Sequence, residues 1–147
     1  MNKYMNVFIP YAQGEPVENN LSRGLAILLN ENQFLLDRFI DMVNAKLYEN
    51  NCALVAKPNN PGGFEVNIQQ SVKDLANSGG IRYVVPITLT PEEAADEENC
   101  GGAEKPITDI SLMCGNNDIA DLLIIETKRN GNSAHAQVNH QAESIIK

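Results

Sequence analysis

The sequence predicts an α/β fold in which helices come before and after a run of four strands. Two segments with apolar residues at helical spacing open the chain, four strand-like segments follow, and a last helical segment closes it. The 147 residues, 43% apolar and 20% charged, have the length and composition of one globular domain. We therefore expect residues 1–147 to form a single domain.

The two N-terminal segments are predicted to be helices. Pro16 suits the first turn of a helix, and the segment after it has a predicted core stripe of Val17, Leu21, Leu25 and Leu28, with Glu18 and Leu29 on its flank. The second helix is predicted over residues 32–48, with a core stripe of Leu36, Phe39, Ile40, Val43 and Leu47. The second helix contains no candidate catalytic residue, and we expect its role to be structural.

Turn-forming residues separate the four predicted strands. Phe64 to Ile68 alternates in polarity, and Gly79 and Gly80 lead into a strand over residues 81–89. Pro86 predicts that this second strand is an edge strand or a bulged one. Residues 107–114 and 121–128 form the third and fourth strands, joined by a turn at residues 115–118. Residues 91–106, rich in Glu, Ala and Gly, are predicted to be an acidic mobile loop.

The fourth strand ends in charged residues where apolar ones are expected. Because side chains alternate along a strand, Glu126 and Lys128 share one face, while Asp121 and Thr127 share the other. The predicted hairpin places Asp109 beside Glu126. A buried Glu or Lys is rare unless it is paired or bound to something. The alternative is a strand that simply reaches the surface at its end.

This arrangement resembles the PD-(D/E)XK nuclease superfamily, which has the restriction-endonuclease-like fold. The motif of this superfamily is an Asp, a variable spacer, then Asp or Glu, any residue, and Lys. In this chain the matching residues are Asp109 and Glu126-Thr127-Lys128, and Pro106 stands three residues before Asp109. The resemblance implies a central mixed sheet flanked by helices in the order α-β-β-β-α-β. The chain would then be truncated before the last strand, as an N-terminal domain completed by further domains or chains.

The resemblance also implies a metal site. Asp109, Glu126, the Thr127 carbonyl and Glu18 would hold Mg2+ or Mn2+, since hard oxygen ligands suit these ions. Lys128 would position or deprotonate the attacking water. Glu18 has an alternative explanation, because a Glu in the first turn of a helix is favoured by the helix dipole wherever it points.

A helix predicted from residue 134 onward follows the Lys128 strand. Gln137 and Gln141 lie one turn apart on it, and the resemblance implies that both line the active cleft. The alternative is an ordinary solvated polar face.

The net charge of -8 is the main argument against nucleic acid binding, which depends on basic side chains. Residues 92–105 contain six acids and one lysine, which leaves 13 acids and 10 bases elsewhere. If Asp109, Glu126 and Glu18 bind metal, the net charge of the chain outside residues 92–105 is close to zero. Other domains would then supply a basic surface, and a homodimer is one arrangement that stays open.

We expect a cytoplasmic enzyme that hydrolyses phosphodiesters, with DNA as its substrate, in a restriction, repair or phage-defence protein. No apolar run approaches the ~20 residues that span a bilayer, so no membrane contact is expected. Three widely spaced cysteines indicate neither a disulfide framework nor a zinc site. Two alternatives stay open: a non-catalytic module that kept the fold for interaction or assembly, and a metal enzyme acting on a small phosphorylated substrate.

Overall fold

A computed structural model describes residues 17–57, 63–89, 107–115, 118–127 and 134–146 of the chain. These residues form an α/β fold, a four-stranded mixed sheet flanked by helices. The predicted acidic loop over residues 91–106 lies outside the described ranges. In chain order the elements are α1 (Val17–Glu31), α2 (Gln33–Glu49), β1 (Phe64–Ile68), α3 (Val72–Asn77), β2 (Ile81–Leu89), β3 (Ile110–Gly115), β4 (Ala120–Thr127) and α4 (Ala134–Ile146).

The strands lie in the order β1-β3-β4-β2. β3 runs antiparallel to both β1 and β4, whereas β2 runs parallel to β4. All eight residues of β4 are buried, and a strand of this chain flanks it on each side. The last strand that the resemblance implies would therefore have to join an outer edge of this sheet, beyond β1 or β2.

β2 lies at an edge of the described sheet, as Pro86 predicted. Proline has no N–H to donate to a strand ladder. Pro86 stands opposite Ile124 of β4, and β4 is the one strand that pairs with β2 in the described part of the chain. The ladder also shifts between Ile81 and Tyr83, which is a bulge. The prediction of an edge or bulged strand is confirmed in both respects.

α2 packs as its apolar pattern predicted. Asn32 is its N-cap, and the Asn32 side chain accepts a hydrogen bond from Leu35 N at 3.1 Å. Of the predicted core stripe, Leu36, Phe39, Ile40 and Val43 are buried and Leu47 is partly buried. They pack with β3 and β4 residues such as Leu123 and Ile125. This cluster forms the larger of the two cores.

α1 turns a different face to the sheet from the one its leucines predicted. Leu21 and Leu28 are 58% and 52% exposed, whereas Leu25 is partly buried. The buried residues of α1 are Ser22, Arg23, Ala26 and Leu29. The predicted stripe is therefore wrong at Leu21 and Leu28. The buried side of α1 instead carries Ala26 and Leu29 in the larger core and Ser22 against the Thr127 hydroxyl of β4, and helical periodicity does not encode these tertiary contacts.

α3 and α4 cover the opposite face of the sheet. Their buried residues form one cluster with two β4 side chains: Leu75, Val138, Ala142 and Ile145 with Leu122 and Ile124. α3 was not predicted, because six residues are too few to show helical periodicity. No helix in the described part of the chain is both long and apolar enough to cross a membrane.

β3 and β4 form the predicted hairpin, with Ile110 opposite Ile125 and Gly115 opposite Ala120. Gly115 has φ 142°, and a Cβ there would collide with the Ile119 carbonyl oxygen, so this position requires glycine. β3 begins at Ile110, later than predicted, and Ile107 makes only an isolated bridge to Ser71. The segment that carries Asp109 therefore departs from regular strand geometry.

Candidate functional site

Asp109 and Glu126 face each other where β3 begins and β4 ends. The register pairs Ile110 with Ile125. Asp109, which precedes Ile110, therefore lies opposite Glu126, which follows Ile125. Asp109 N donates to Glu126 Oε1 at 3.4 Å, and the two residues are 6% and 0% exposed. The structure thus brings the two acidic residues together through a contact between the Asp109 backbone and the Glu126 side chain.

Thr127 holds the Asp109 carboxylate from the neighbouring strand. The Thr127 N–H donates to Asp109 Oδ2 at 3.0 Å, and its hydroxyl donates to the same oxygen at 3.3 Å. Because the Thr127 hydroxyl is already a donor to Asp109, it accepts from the Ser22 hydroxyl of α1. The position of Asp109 therefore depends on how α1 packs against the sheet.

Gln141 of α4 holds Glu126 from the other face of the sheet. Its Nε2 donates to Glu126 Oε1 at 3.1 Å and to the Ile107 carbonyl oxygen at 3.1 Å, and the residue is 2% exposed. The structure brings Gln141 to the acidic pair, where the resemblance implied it would lie. One side-chain amide thus ties α4 both to β4 and to the segment before β3.

Gln137 lies one turn before Gln141 and is half-buried. Its Nε2 is buried and has no hydrogen-bond partner among the described residues. A buried amide donor in this position costs free energy unless a partner arrives. Gln137 is therefore oriented inward, but no described hydrogen bond joins it to Asp109 or Glu126.

Two predicted site residues are not described at the side-chain level. Lys128 lies outside the described residues altogether. Glu18 belongs to α1, one helical turn before Ser22, but its side chain is outside the described part. The metal roles predicted for Glu18 and for the Thr127 carbonyl, and the catalytic role predicted for Lys128, stay predictions.

The sequence argument missed Ser22 and the side-chain role of Thr127. Strand parity assigned Thr127 to the face opposite Glu126, and the Ser22 contact from α1 agrees with that assignment. What parity could not show is that Asp109, outside the regular strand, turns its carboxylate toward Thr127. Ser22 lies among other polar residues, such as Asn20 and Arg23, so no local signal distinguished it.

A second buried carboxylate, Asp121, lies at the opposite end of β4. Arg82 of β2 donates to it through Nε at 2.9 Å and Nη2 at 2.8 Å, and Ala56 N donates to Asp121 Oδ2 at 2.8 Å. The hydrogen bond to Asp121 and its negative charge raise the pKa of Arg82. Burial, followed by the charge of Asp121, raises the pKa of the Cys114 thiol to about 12. Asp121 is thus engaged in a structural ion pair.

The donor set of the acidic pair suits a hard cation. Carboxylate and carbonyl oxygens are the ligands that Mg2+ and Mn2+ prefer. Among the described residues, no group of three or more His, Cys, Asp or Glu side chains lies close enough to form a metal site. Asp109 and Glu126 therefore supply two carboxylates, and other ligands would have to come from backbone carbonyls, water or Glu18.

Comparisons with known proteins found no matching family model, no matching curated protein and no matching solved structure.

Proposed function

We propose that this chain is a metal-dependent nuclease domain with a restriction-endonuclease-like fold, which hydrolyses phosphodiester bonds in DNA. The observation that carries the proposal is the buried Asp109–Glu126 pair at the ends of the two central strands. Its support is chemical: the pair combines two oxygen ligands with a fixed orientation, as an active metal site requires.

Burying two carboxylates side by side is unfavourable unless something positive completes the cluster. Like charges repel, and removing each from water carries a further cost. The hydrogen bonds described above come from neutral groups, namely backbone N–H, a threonine hydroxyl and a glutamine amide. These donors fix the orientation of the carboxylate oxygens, and oriented carboxylate oxygens are the ligands that a hard cation prefers.

Asp109, Glu126, the Thr127 carbonyl and Glu18 would hold the metal, Mg2+ or Mn2+. A bound ion of this kind polarises the phosphate and lowers the pKa of water. Thr127 and Gln141 keep the two carboxylates in place by the hydrogen bonds already described. Both ligands then need little rearrangement when the ion arrives.

Lys128 follows the acidic strand and would act on the reacting atoms. Its amine would orient the attacking water, accept its proton or offset the phosphoryl charge. The water oxygen forms the new bond to phosphorus, the bond to the leaving oxygen breaks, and that oxygen takes up a proton. Lys128 is assigned here from its place in the motif.

A non-catalytic interaction module is the second candidate, and one observation favours it. Leu21, Leu28, Phe34 and Met42 of α1 and α2 are all more than half exposed. Exposed apolar side chains in such number are common at protein interfaces. The buried acidic pair favours the enzyme instead, because docking through α1 and α2 makes no use of two oriented carboxylates.

Cleavage assays on the full-length protein test the proposal. Plasmid and single-stranded DNA are incubated with Mg2+, with Mn2+ or with chelator. We expect cleavage only when metal is present. Glu126→Ala should lose both cleavage and metal binding, whereas Lys128→Ala should lose most of the rate and keep metal binding. Glu143→Ala is the matched control, because Glu143 is an exposed carboxylate on the helix that carries Gln141.

Two outcomes would reject the catalytic assignment. One is DNA binding without cleavage of any DNA form under these conditions, which would leave the interaction module as the better reading. The other is cleavage that survives Glu126→Ala, which would move the active site elsewhere in the chain.

A further inference from the structure

A polar pocket of about 340 Å³ opens beside the segment that leads into β3. It lies between the end of β1, the turn after it and α3. Its polar lining comes from Asn67, Gln69, Gln70 and Asp74, and its apolar lining from Ile68 and Ile107. This volume falls within the range of small-molecule sites in proteins. None of these residues was singled out by the sequence argument.

The pocket wall is hydrogen-bonded directly to the candidate active site. Gln69 N donates to the Asp109 carbonyl oxygen at 3.1 Å, and Thr108 N donates to the Gln70 carbonyl oxygen at 2.9 Å. Ile107, which lines the pocket, accepts the hydrogen bond from Gln141 that also ties down Glu126. A ligand in the pocket would therefore lie next to whatever occupies the acidic pair.

The lining chemistry fits a nucleobase and disfavours a phosphate. Among the described residues that line the pocket there is no lysine, arginine or histidine, and the Asp74 carboxylate would repel an anion. Asn and Gln amides offer a donor and an acceptor together, which suits the edge of adenine, and an Asp carboxylate accepts from the amino group of cytosine. Ile107, 40% exposed, offers an apolar wall to a flat ring.

Two features show that the polar lining is held in a fixed arrangement. The Ser111 hydroxyl donates to Gln70 Oε1 at 2.5 Å, which fixes the amide so that its Nε2 is the atom left for a ligand. Gln69 has φ 52°, a left-handed conformation that is uncommon for a residue with a Cβ. The hydrogen bond from Gln69 N to Asp109 holds this strained backbone in place.

We propose that this pocket binds an unpaired nucleobase of a strand whose phosphodiester lies at Asp109 and Glu126. This proposal rests on the proposed nuclease function for the position of the phosphate. A base that is paired and stacked in a duplex cannot enter a pocket of this kind unless it is first flipped out of the helix. The pocket would thus make the domain prefer single-stranded or locally opened DNA.

The first test uses nucleosides without phosphate, in chelator, so that neither metal nor catalysis is involved. Adenosine, cytidine, guanosine and thymidine are titrated into isotope-labelled full-length protein and followed by amide NMR shifts. We expect shifts at Gln69, Gln70 and Ser71. Gln70→Ala and Asp74→Ala should each weaken binding about 3- to 10-fold, as loss of one hydrogen bond predicts. Asn77→Ala, on α3 but outside the lining, should bind as the wild type does.

The second test compares single-stranded and duplex oligonucleotides of one sequence in chelator. Gln70→Ala should weaken single-strand binding and leave duplex binding unchanged. Equal effects on both, or nucleoside shifts that avoid residues 69–71, would overturn the proposal. Nucleoside binding without single-strand binding would also overturn it and assign the pocket to free nucleosides. Base binding with no DNA cleavage would retain the pocket and reject the nuclease, so the two proposals fail separately.

Discussion

The two ends of β4 each bury a carboxylate at 0% exposure, but they treat its charge in opposite ways. At the start of the strand, Asp121 receives two hydrogen bonds from the Arg82 guanidinium and one from a backbone amide. At the end, Glu126 receives hydrogen bonds from an amide side chain and a backbone N–H, with the Asp109 carboxylate beside it. The described donors to Asp121 thus include a cationic group, whereas the described donors to Glu126 are neutral.

The difference underlies the proposal that Asp121 is structural and that Glu126 belongs to the active site. Both are fully buried, so burial alone does not distinguish them. What distinguishes their described contacts is the chemistry of the donors, because Asp121 receives a guanidinium whereas Glu126 receives neutral N–H groups. The same strand therefore provides an internal reference for testing the candidate site.

The largest expected effect is on the Asp121 side. Asp121→Ala should lower the free energy of unfolding by about 3 kcal/mol, because it removes the buried acceptor of the half-exposed Arg82 and leaves the Ala56 N–H without its acceptor. Asp41→Ala is the matched control, since Asp41 pairs with Lys57 at the surface and should cost less than about 1 kcal/mol. Urea unfolding of each variant measures both values. Similar losses would mean that Asp121 carries no special structural role.

The second-largest expected effect is the stabilisation of the folded protein by a bound metal ion. Mg2+ or Mn2+ at one hundred times its Kd should stabilise the fold by about 2.7 kcal/mol, because it binds only the folded state. Asp109→Ala should abolish this gain and leave the metal-free protein as stable or slightly more so, since it relieves repulsion with Glu126.

Thermal unfolding with and without metal measures this response, and Asp118→Ala is the matched control, because Asp118 is an exposed Asp near the hairpin turn. A metal response that persists in Asp109→Ala would place the metal elsewhere. Loss of folding in that variant would make Asp109 structural, as Asp121 is, and would remove the contrast between the two ends of β4.

Gln141 should have a smaller effect than either carboxylate. Gln141→Ala should cost about 1–2 kcal/mol in the free energy of unfolding, because Glu126 Oε1 and the Ile107 carbonyl oxygen each lose one donor. Gln137→Ala should cost less, since Gln137 Nε2 makes no hydrogen bond to a described residue. Chemical denaturation compares the two variants. A greater loss in Gln137→Ala would show that the Glu126 contact contributes little.

Ser22 tests whether α1 positions Asp109. Ser22→Ala should cost about 1 kcal/mol of stability and weaken metal binding, because Thr127 then holds Asp109 less firmly. Ser144→Ala is the matched control, because its hydroxyl donates within α4 to the His140 carbonyl oxygen at 2.8 Å, so metal binding should stay unchanged. Calorimetric titration with Mn2+ measures the difference. Equal metal affinity in both variants would exclude Ser22 from the site.

The smallest expected effect concerns thiol chemistry at the Asp121 end. The thiolate is the reactive form, and Cys114, with a pKa raised to about 12, stays protonated at neutral pH. Cys114 should resist iodoacetamide at pH 8, whereas the exposed Cys52 reacts readily. Mass spectrometry of the labelled peptides distinguishes them. Because the raised pKa favours the protonated folded state, the contribution of Cys114 to stability should decline from pH 9 to about 12.

Local rules predicted the parts of the molecule that depend on neighbours in sequence. The Asn32 cap and the α2 core stripe follow from helical periodicity, and the β3–β4 hairpin follows from two apolar runs around a turn. Strand alternation then placed Glu126 and Thr127 on opposite faces, and the hairpin placed Asp109 beside Glu126. Each inference needed only the fixed geometry of a helix or a strand.

The errors lie where distant segments meet. The leucines of α1 predicted the wrong buried face, because the Ser22 contact with Thr127 joins residues that are 105 positions apart. α3 was too short to show a pattern, and the pocket beside Asp109 depends on how the turn after β1 meets the segment before β3. Local periodicity carries no information about such contacts.

The sequence by itself determined the α/β class, the hairpin and the identity of the acidic pair, since these follow from side-chain periodicity and turn chemistry. Only the tertiary structure decided that Asp121 is an ion-pair partner of Arg82 while Glu126 is held by Gln141. In sequence the two are similar acidic residues on one apolar strand, five positions apart. Their surroundings come from β2 and α4, which reach them only when the chain has folded, and it is the donors on those elements that set the role of each charge.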